Sequence, residues 1–349
     1  MKGWLQTLRI FAIGFVLVAG GNVQAGLTAA DVFKQLKPAD RERLAAGDII
    51  TVDRPEQESD KTGLAIGLVV IVPADPRKTL TTLQTLNVSD DPALRRTTRE
   101  ITGVVGGDGS SQTFAAVGFA ADENDEAKKL LAAKPGEDFN FSDKEYAWIR
   151  AAGDTGEPAR SAAKVMRRVL ESRYLAYQQG GLDALPPYAR ENQQLTRPGA
   201  QLAASVAAMT NLQRLTPEFF ETYRSYPRTK GQGIKHQFYW EKKTVEGRPM
   251  FSLRHEMAQI KPEGAMIGSR EFYINSQLNV LQVAIALIPH GNQTLAVLVN
   301  ETYTDKIADA PRLFAAPIGR KIVESNTRPL FEKLQKALGR ARSPVAAAR

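Results

Sequence analysis

Residues 278–304 read LNVLQVAIALIPHGNQTLAVLVNETYT and indicate the fold class. Two short apolar segments, 278–288 and 294–304, lie on either side of the sequence PHGN at 289–292. Apolar runs of this length that are rich in β-branched residues favour strands, and the proline and glycine between them mark a turn. The stretch therefore predicts two neighbouring antiparallel strands.

The last third of the chain shows the same pattern before this hairpin. Residues 235–243, 250–258 and 266–276 alternate with a period of two. Such alternation is typical of strands with one buried face. The sequence therefore predicts a continuous antiparallel sheet over residues 235–304.

The two hairpins of this sheet can each be divided into faces, because successive side chains of a strand point to opposite sides. In the first hairpin, pairing the apolar rows puts one set of residues on one face and a charged, polar set on the other. The first set is His236, Phe238, Trp240, Leu253, His255 and Met257; the second is Tyr239, Glu241, Ser252, Arg254 and Glu256. In the second hairpin, the expected faces are Leu281, Val283, Ile285 and Leu287 with Leu295, Val297 and Val299, and on the reverse Ala284, Ala286, Ala296, Leu298 and Asn300.

The preceding part of the chain mixes strands and helices. Leu64–Val72 is short, apolar and β-branched, which predicts a buried strand, and residues 112–119 are expected to form another. Asp75 followed by proline is a typical helix start. Residues 122–226 carry repeated helical patterns, and a long helix is predicted from about residue 311 to residue 338.

This order of elements resembles the START-like (SRPBCC, helix-grip) superfamily. The resemblance rests on the pattern V-x-x-P-A-D-P-x-x-x-L-x-x-L at 70–83, followed by antiparallel strands and a long C-terminal helix. In addition, the segment RYLAYQQGGLDALPPYAR at 173–190 is similar to a family of exported, uncharacterised bacterial proteins. The resemblance covers residues 48–86 and 235–338. It implies an α+β fold in which a curved antiparallel sheet grips the C-terminal helix, and it implies binding of a small apolar or amphipathic molecule.

The expected organisation has five parts. They are a signal peptide (1–25), N-terminal helices and first strands of the α+β domain (26–121), a helical insertion or subdomain (122–230), the sheet and C-terminal helix that complete the domain (231–340), and a disordered tail (341–349).

The first 25 residues have the order of a secretory signal peptide. Lys2 and Arg9 precede an apolar stretch, and Val23 and Ala25 provide small residues at positions −3 and −1 of a cleavage site. Cleavage is predicted after Ala25, with an uncleaved anchor as the alternative. In a chain without cysteine, so short a signal favours a soluble protein of the bacterial periplasm.

The basic surplus of the chain is local. The 46 Lys+Arg and 38 Asp+Glu residues give a net charge of +8, but residues 312–349 alone contain nine basic and two acidic residues. This distribution favours a solvated basic face on the last helix, and contact with an anionic membrane surface is the alternative. It does not favour nucleic-acid binding. The absence of cysteine excludes disulfides and cysteine nucleophiles.

Candidate catalytic and metal motifs are incomplete. His255-Glu256 begins like a zinc-protease motif, but Gln259 occupies the position of the second histidine. His236 and His255 are expected to be diagonal neighbours ~7–8 Å apart, with no third ligand evident, so no metal site is predicted. The glycine-rich residues 103–111 lack the lysine that ends a phosphate-binding loop, which favours a flexible loop and no nucleotide cofactor.

The function predicted from the sequence is non-catalytic binding of a lipid-like, apolar or amphipathic molecule. The candidate pocket residues are His236, Phe238, Trp240, Leu253, Arg254, His255, Glu271, Asn300 and Tyr303. The sheet, Trp240, Phe238 and the C-terminal helix would enclose the ligand. Two alternatives remain open: a structural or interaction protein of the cell envelope with a solid core, and a hydrolase or isomerase that uses a pocket histidine or the Arg254/Glu271 pair.

Overall fold

The computed structural model describes residues 26–53, 61–86, 96–102, 105–136, 138–153, 156–245, 247–307 and 312–340. The predicted signal peptide and the predicted tail lie outside these ranges. The helices are α1 (Ala29–Gln35), α2 (Pro38–Ala45), α3 (Pro76–Thr85), α4 (Asn124–Leu131), α5 (Asp143–Ala152), α6 (Pro158–Gly180), α7 (Pro198–Ala208), α8 (Thr210–Gln213), α9 (Pro217–Ser225) and α10 (Arg312–Leu338). The strands are β1 (Ile50–Asp53), β2 (Gly63–Val72), β3 (Arg96–Glu100), β4 (Tyr188–Ala189), β5 (Leu195–Thr196), β6 (Lys235–Val245), β7 (Arg248–Lys261), β8 (Gly264–Ile274), β9 (Val280–His290) and β10 (Gln293–Tyr303).

Eight of these strands form one antiparallel sheet in the order β1-β2-β10-β9-β8-β7-β6-β3. The five strands expected in the last third are confirmed, as are the strand at 64–72 and the helix that Asp75 caps. The edge strand β3 was not predicted from the sequence. It was wrong at 112–119, where Ser111 caps a short 3₁₀ turn at Gln112–Phe114.

Helices cover both faces of the sheet. On one face, α3 packs on β8, β9 and β10, and α10 packs on β2 and β10; we call this the α10 face. On the other face, α1 and the helices α4 to α9 form a layer that shares one apolar cluster with the sheet; we call this the helical-layer face. The chain is therefore an α+β protein with a large antiparallel sheet and a C-terminal helix packed on it.

The register of the last hairpin corrects one prediction. His290 pairs with Gln293 across a two-residue turn, so odd-numbered residues of β9 lie opposite even-numbered residues of β10. Ile285 and Leu287 therefore share the α10 face with Leu298 and Ala296. The expected grouping with Leu295, Val297 and Val299 is wrong, because one residue of shift in a turn moves a whole strand row to the opposite face.

Buried polar groups attach the helical layer to the sheet. Asn140 donates its amide to the carbonyl oxygens of Ile274 and Leu278 at 2.8 and 2.7 Å. Arg190 pairs with Asp305 at 2.8 Å, just after the last strand of the sheet. Each bond has a defined direction, so these contacts set the position of the helices more strictly than apolar packing alone.

A third polar contact lies inside the helical layer. Arg173 of α6 donates to both carboxylate oxygens of Glu145 at 2.7 and 2.6 Å, and both side chains are almost wholly buried. Glu145 also accepts from the Ser142 N–H and so forms a capping box at the start of α5. The guanidinium of Arg173 lies over the rings of Tyr188 and Tyr273.

We expect Glu145→Gln to destabilise the protein strongly, because it leaves the charge of Arg173 buried without a counter-ion. The expected loss is about 3–5 kcal/mol of unfolding free energy, measured by urea denaturation. Glu157→Gln is the matched control, because Glu157 pairs with Arg160 at the surface, and its expected effect is within about 0.5 kcal/mol. Equal effects of the two substitutions would contradict the structural role of the Arg173–Glu145 pair.

Candidate functional site

The nine candidate pocket residues do not lie together. The predicted register of the first late hairpin is confirmed, since His236, Phe238 and Trp240 lie opposite Met257, His255 and Leu253. The helical-layer face carries His236, Phe238, Trp240, Leu253, His255 and Tyr303, whereas the α10 face carries Arg254, Glu271 and Asn300. The sheet itself separates the two sets, so one pocket cannot be lined by both.

Trp240 also lies away from the C-terminal helix with which it was expected to enclose a ligand. Its indole N–H donates to the carbonyl oxygen of Thr113 at 2.9 Å, and its side chain is buried on the helical-layer face. The C-terminal helix packs on the opposite face. The predicted enclosure by Trp240, Phe238 and this helix is therefore wrong. The even-numbered residues of β6 all point to the helical-layer face, and the C-terminal helix packs on the other face.

On the helical-layer face, the two histidines belong to a continuous chain of hydrogen bonds. Arg270 Nη1 donates to the Tyr177 hydroxyl at 3.1 Å, and this hydroxyl lies 2.9 Å from His255 Nδ1. His255 Nε2 lies 3.0 Å from His236 Nδ1, and His236 Nε2 lies 2.8 Å from the carbonyl oxygen of Lys230. The diagonal placement predicted for the histidines is confirmed, and their rings are close enough to bond directly.

The two ends of this chain assign its protons. Lys230 contributes a carbonyl, which only accepts, so His236 Nε2 carries a hydrogen and His236 Nδ1 is free to accept from His255 Nε2. His255 Nδ1 then accepts from the Tyr177 hydroxyl, whose oxygen accepts from Arg270. In every bond of the chain the donor is thus the group nearer Arg270 and the acceptor is the group nearer Lys230. Both imidazoles are neutral in this arrangement.

Burial supports the neutral state of both rings. It lowers the pKa of His255 well below the usual value for histidine, and the neighbouring His236 and Arg270 lower it further. Burial also lowers the pKa of His236, only partly opposed by its bond to Lys230. In the same region, burial raises the pKa of the Tyr177 hydroxyl, so this group stays a donor at neutral pH.

Aromatic rings fill the space around the histidines. Phe238 stacks on His255 with ring centroids 4.1 Å apart, and Tyr226 approaches the same ring at 4.6 Å. Phe272 stacks on Tyr177 at 4.1 Å. The arrangement is that of a packed polar–aromatic core. Within the part of the chain that the structure describes, no group of three or more potential ligand side chains is placed to hold a metal ion.

Arg270, like Tyr177, belongs to this network but is not among the pocket residues predicted from the sequence. Its guanidinium is fully buried and donates to Gln282, Tyr177 and the carbonyl oxygen of Tyr223. No carboxylate among the described residues lies within ion-pair distance of it. Arginine within an apolar strand pattern was the available signal, but its face depends on the bulge in the β7–β8 pairing next to Arg254.

The α10 face carries a second cluster, which we call the charged cluster: Lys243, Arg254, Glu241, Glu256 and Glu271. Arg254 donates to Glu256 at 2.9 Å, and its Nε lies 3.1 Å from Glu241 Oε1, an ion pair without hydrogen-bond alignment. Lys243 donates to both oxygens of Glu271 at 2.7 and 2.9 Å. Arg254 and Glu271 are register partners, but each bonds mainly to other residues.

Burial and charge act in opposite directions on Arg254. Burial tends to lower its pKa, but the carboxylates of Glu241 and Glu256 outweigh this effect and hold the pKa above its usual value. Its guanidinium also lies over the ring of Tyr239, 4.4 Å from the centroid. This arginine is therefore a permanent, oriented cation on the α10 face.

The charged cluster borders an apolar area. Glu256, Ser269, Val283 and Asn300 form one row across four neighbouring strands, and Val283 packs against the apolar cluster under α3 and α10. Asn300 at the end of this row donates to Thr327 of α10 at 2.9 Å. The row thus begins at a charged residue, Glu256, passes the apolar Val283 and ends at Asn300, which contacts the C-terminal helix.

The glycine-rich loop has an internal partner. The N–H groups of Gly109 and Ser111 donate to Glu171 at 2.5 and 2.8 Å, and Glu171 is fully buried in α6. A carboxylate of the chain itself therefore occupies amide donors of the kind that bind anions in phosphate loops.

No family model matches this chain. No curated protein and no solved structure matches it either. Among the described helices, none combines the length and the apolar character that crossing a membrane requires.

We expect Tyr177→Phe to destabilise the protein, because it removes the donor to His255 and the acceptor of Arg270. The expected loss is about 1–3 kcal/mol of unfolding free energy, measured by urea denaturation. Tyr174→Phe is the control, since its hydroxyl makes no hydrogen bond to the described residues while its ring packs on Phe238. A Tyr177→Phe effect as small as that of the control would show that the hydrogen-bond chain contributes nothing to stability.

Proposed function

We propose that this protein binds an amphipathic small molecule without catalysing a reaction, and that the ligand lies on the α10 face. The observation that carries this proposal is the charged cluster at the border of an apolar area. An amphipathic ligand needs these two surfaces side by side, one for its chain and one for its head. The sheet with a C-terminal helix packed on it also fits the helix-grip architecture, which remains part of the proposal.

The charges of the cluster favour one kind of head group. Three carboxylates and two cations leave one surplus negative charge on this part of the face. The hydroxyl of Ser252, on the same face, is buried and has no hydrogen-bond partner among the described residues. We therefore expect an amine or a hydroxyl head to bind better than a carboxylate, because it adds donors and no negative charge.

The apolar part of the ligand would pack against partly buried side chains at the edge of the cluster under α3 and α10. These are Leu86, Val283, Ile307, Leu330 and Leu338. Each has apolar surface still to bury, which is favourable by roughly 25 cal/mol per Å². The periplasmic location is likewise proposed, and it rests on the sequence of residues 1–25 alone.

Binding can be tested by calorimetric titration of the delipidated protein with dodecylamine, 1-dodecanol and dodecanoate below their micellar concentrations. We expect saturable binding, with the amine and the alcohol bound more tightly than the carboxylate. Trp240 fluorescence is not a suitable signal, since this residue lies on the other face. Absence of saturable binding to all three compounds would overturn the proposal.

Glu256→Gln tests the position of the head group. We expect it to weaken dodecylamine binding by about tenfold, because it removes the surplus negative charge, and to leave 1-dodecanol binding unchanged. Glu218→Gln is the matched control, since Glu218 pairs with Lys261 at the surface on another part of the molecule. Equal weakening by both substitutions would argue against the charged cluster as the site.

A structural or interaction protein of the cell envelope is the second candidate. The observation that favours it is the filled helical-layer face, where Trp240, Tyr177, Tyr188 and Tyr273 are all fully buried. This candidate predicts no saturable binding in the same titrations. The third possibility, catalysis by a pocket histidine, has no such support, since His255 is buried beneath aromatic rings.

A further inference from the structure

We propose that the His236–His255 pair is an acid-sensitive junction. At neutral pH it holds the end of α6 and the segment 226–236 on the sheet, and in acid it releases them. This inference is independent of the proposed ligand, because the junction lies on the helical-layer face and the charged cluster lies on the α10 face.

The geometry allows only one proton between the two rings. His255 Nε2 and His236 Nδ1 lie 3.0 Å apart, and the bond requires one of them to lack hydrogen. Protonation of His236 puts an N–H on both sides of this contact. The remaining nitrogen of His236 already donates to Lys230, so the added proton has no acceptor in the closed arrangement.

The chain cannot adapt by reversing its direction. Reversal would make His255 Nδ1 the donor to Tyr177, and the Tyr177 hydroxyl would then need a new acceptor. Arg270 lies on the far side of Tyr177 and has only donors. A reversed chain would leave the buried hydroxyl of Tyr177 without an acceptor, which disfavours the reversal.

The surroundings provide no negative charge for a protonated histidine. From α6, Tyr177 contacts His255, while Tyr174 packs on Phe238 and Gln178 accepts from Tyr226. Burial raises the pKa of both α6 tyrosines, which stay neutral. From the segment after α9, Tyr226 and the carbonyl of Lys230 contact His236. The ionised side chains of residues 226–235 are all cationic.

The neighbouring strands add one more cation. On the junction side, β6 presents Phe238 and β8 presents Phe272 and Arg270, while the carboxylate of Glu256 on β7 points to the opposite face. Asp183, which contacts the segment 226–236, pairs with Arg228 at the surface. A second positive charge beside Arg270 would therefore be uncompensated.

The pH dependence follows from the direction of the shifts. The pKa values of both histidines are lowered in the folded protein, so the unfolded or opened state binds more protons. The junction is then fully effective above the ordinary histidine pKa of about 6.5 and loses stability as the pH falls below it. Between the ordinary and the lowered pKa of a histidine, the closing equilibrium weakens about tenfold for each unit of pH, and the total loss is about tenfold for each unit of pKa shift.

Hydrogen–deuterium exchange of the full chain at pH 7.5 and pH 5.0, corrected for intrinsic exchange rates, tests the junction. We expect the amides of residues 170–180 and 226–240 to lose about tenfold or more of their protection at pH 5.0. The amides of β2, near the opposite edge of the sheet, and of α10, on the opposite face, should keep their protection. Uniform loss over the chain, or no loss at all, would overturn the proposal.

His236→Gln removes one of the two titrating histidines of the junction. The glutamine side chain can accept from His255 and donate to Lys230 as the neutral imidazole does, but it does not gain a proton. We expect this variant to lose clearly less protection at pH 5.0 than the unaltered protein, because only His255 can still take up a proton when the junction opens, whereas His290→Gln, at the end of β9, should respond to acid as the unaltered protein does. The same acid response in His236→Gln would overturn the proposal. If His236→Gln does not fold, the regional pattern in the unaltered protein decides the question.

Discussion

The structure depends on one constraint, the alternation of side chains on the strands of a single large sheet. Along the long strands, successive residues point in turn to the helical-layer face and to the α10 face, except at the bulge between β7 and β8. On β7, His255 points into the helical layer and Arg254 to the α10 face; on β8, Arg270 and Glu271 divide in the same way. The two polar clusters therefore lie back to back, separated by one layer of backbone.

The helical layer is positioned by hydrogen bonds as much as by apolar burial. Three polar contacts are buried or nearly so: Arg173 with Glu145, Arg190 with Asp305, and Asn140 with the carbonyl groups of Ile274 in β8 and Leu278 in the β8–β9 connection. Such groups add little net stability, because desolvation offsets their attraction, but they strongly disfavour any arrangement that breaks them. In a chain without cysteine, these contacts select one packing of the helices on the sheet.

The two clusters differ in what they can do. Around His255 the polar atoms form a continuous chain of hydrogen bonds to one another, and aromatic rings fill the remaining space. The polar groups of this cluster are therefore used by the protein itself. The charged cluster around Arg254 is only partly enclosed, contains ion pairs of unequal geometry and borders apolar residues. For these reasons a ligand is proposed at the second cluster and a conformational role at the first.

The sequence alone determined the strands of the last third, the helix that Asp75 caps, and the face of each residue in the β6–β7 hairpin. Local periodicity and capping residues carry this information. It did not determine the register of the β9–β10 hairpin, the edge strand β3, or the separation of Trp240 from α10. The register depends on the length of the turn, and the position of Trp240 relative to α10 depends on which face each helix covers. Only the tertiary structure joined Tyr177 and Arg270, 93 residues apart, to the histidine pair, because hydrogen-bond partners from different elements leave no pattern in either segment.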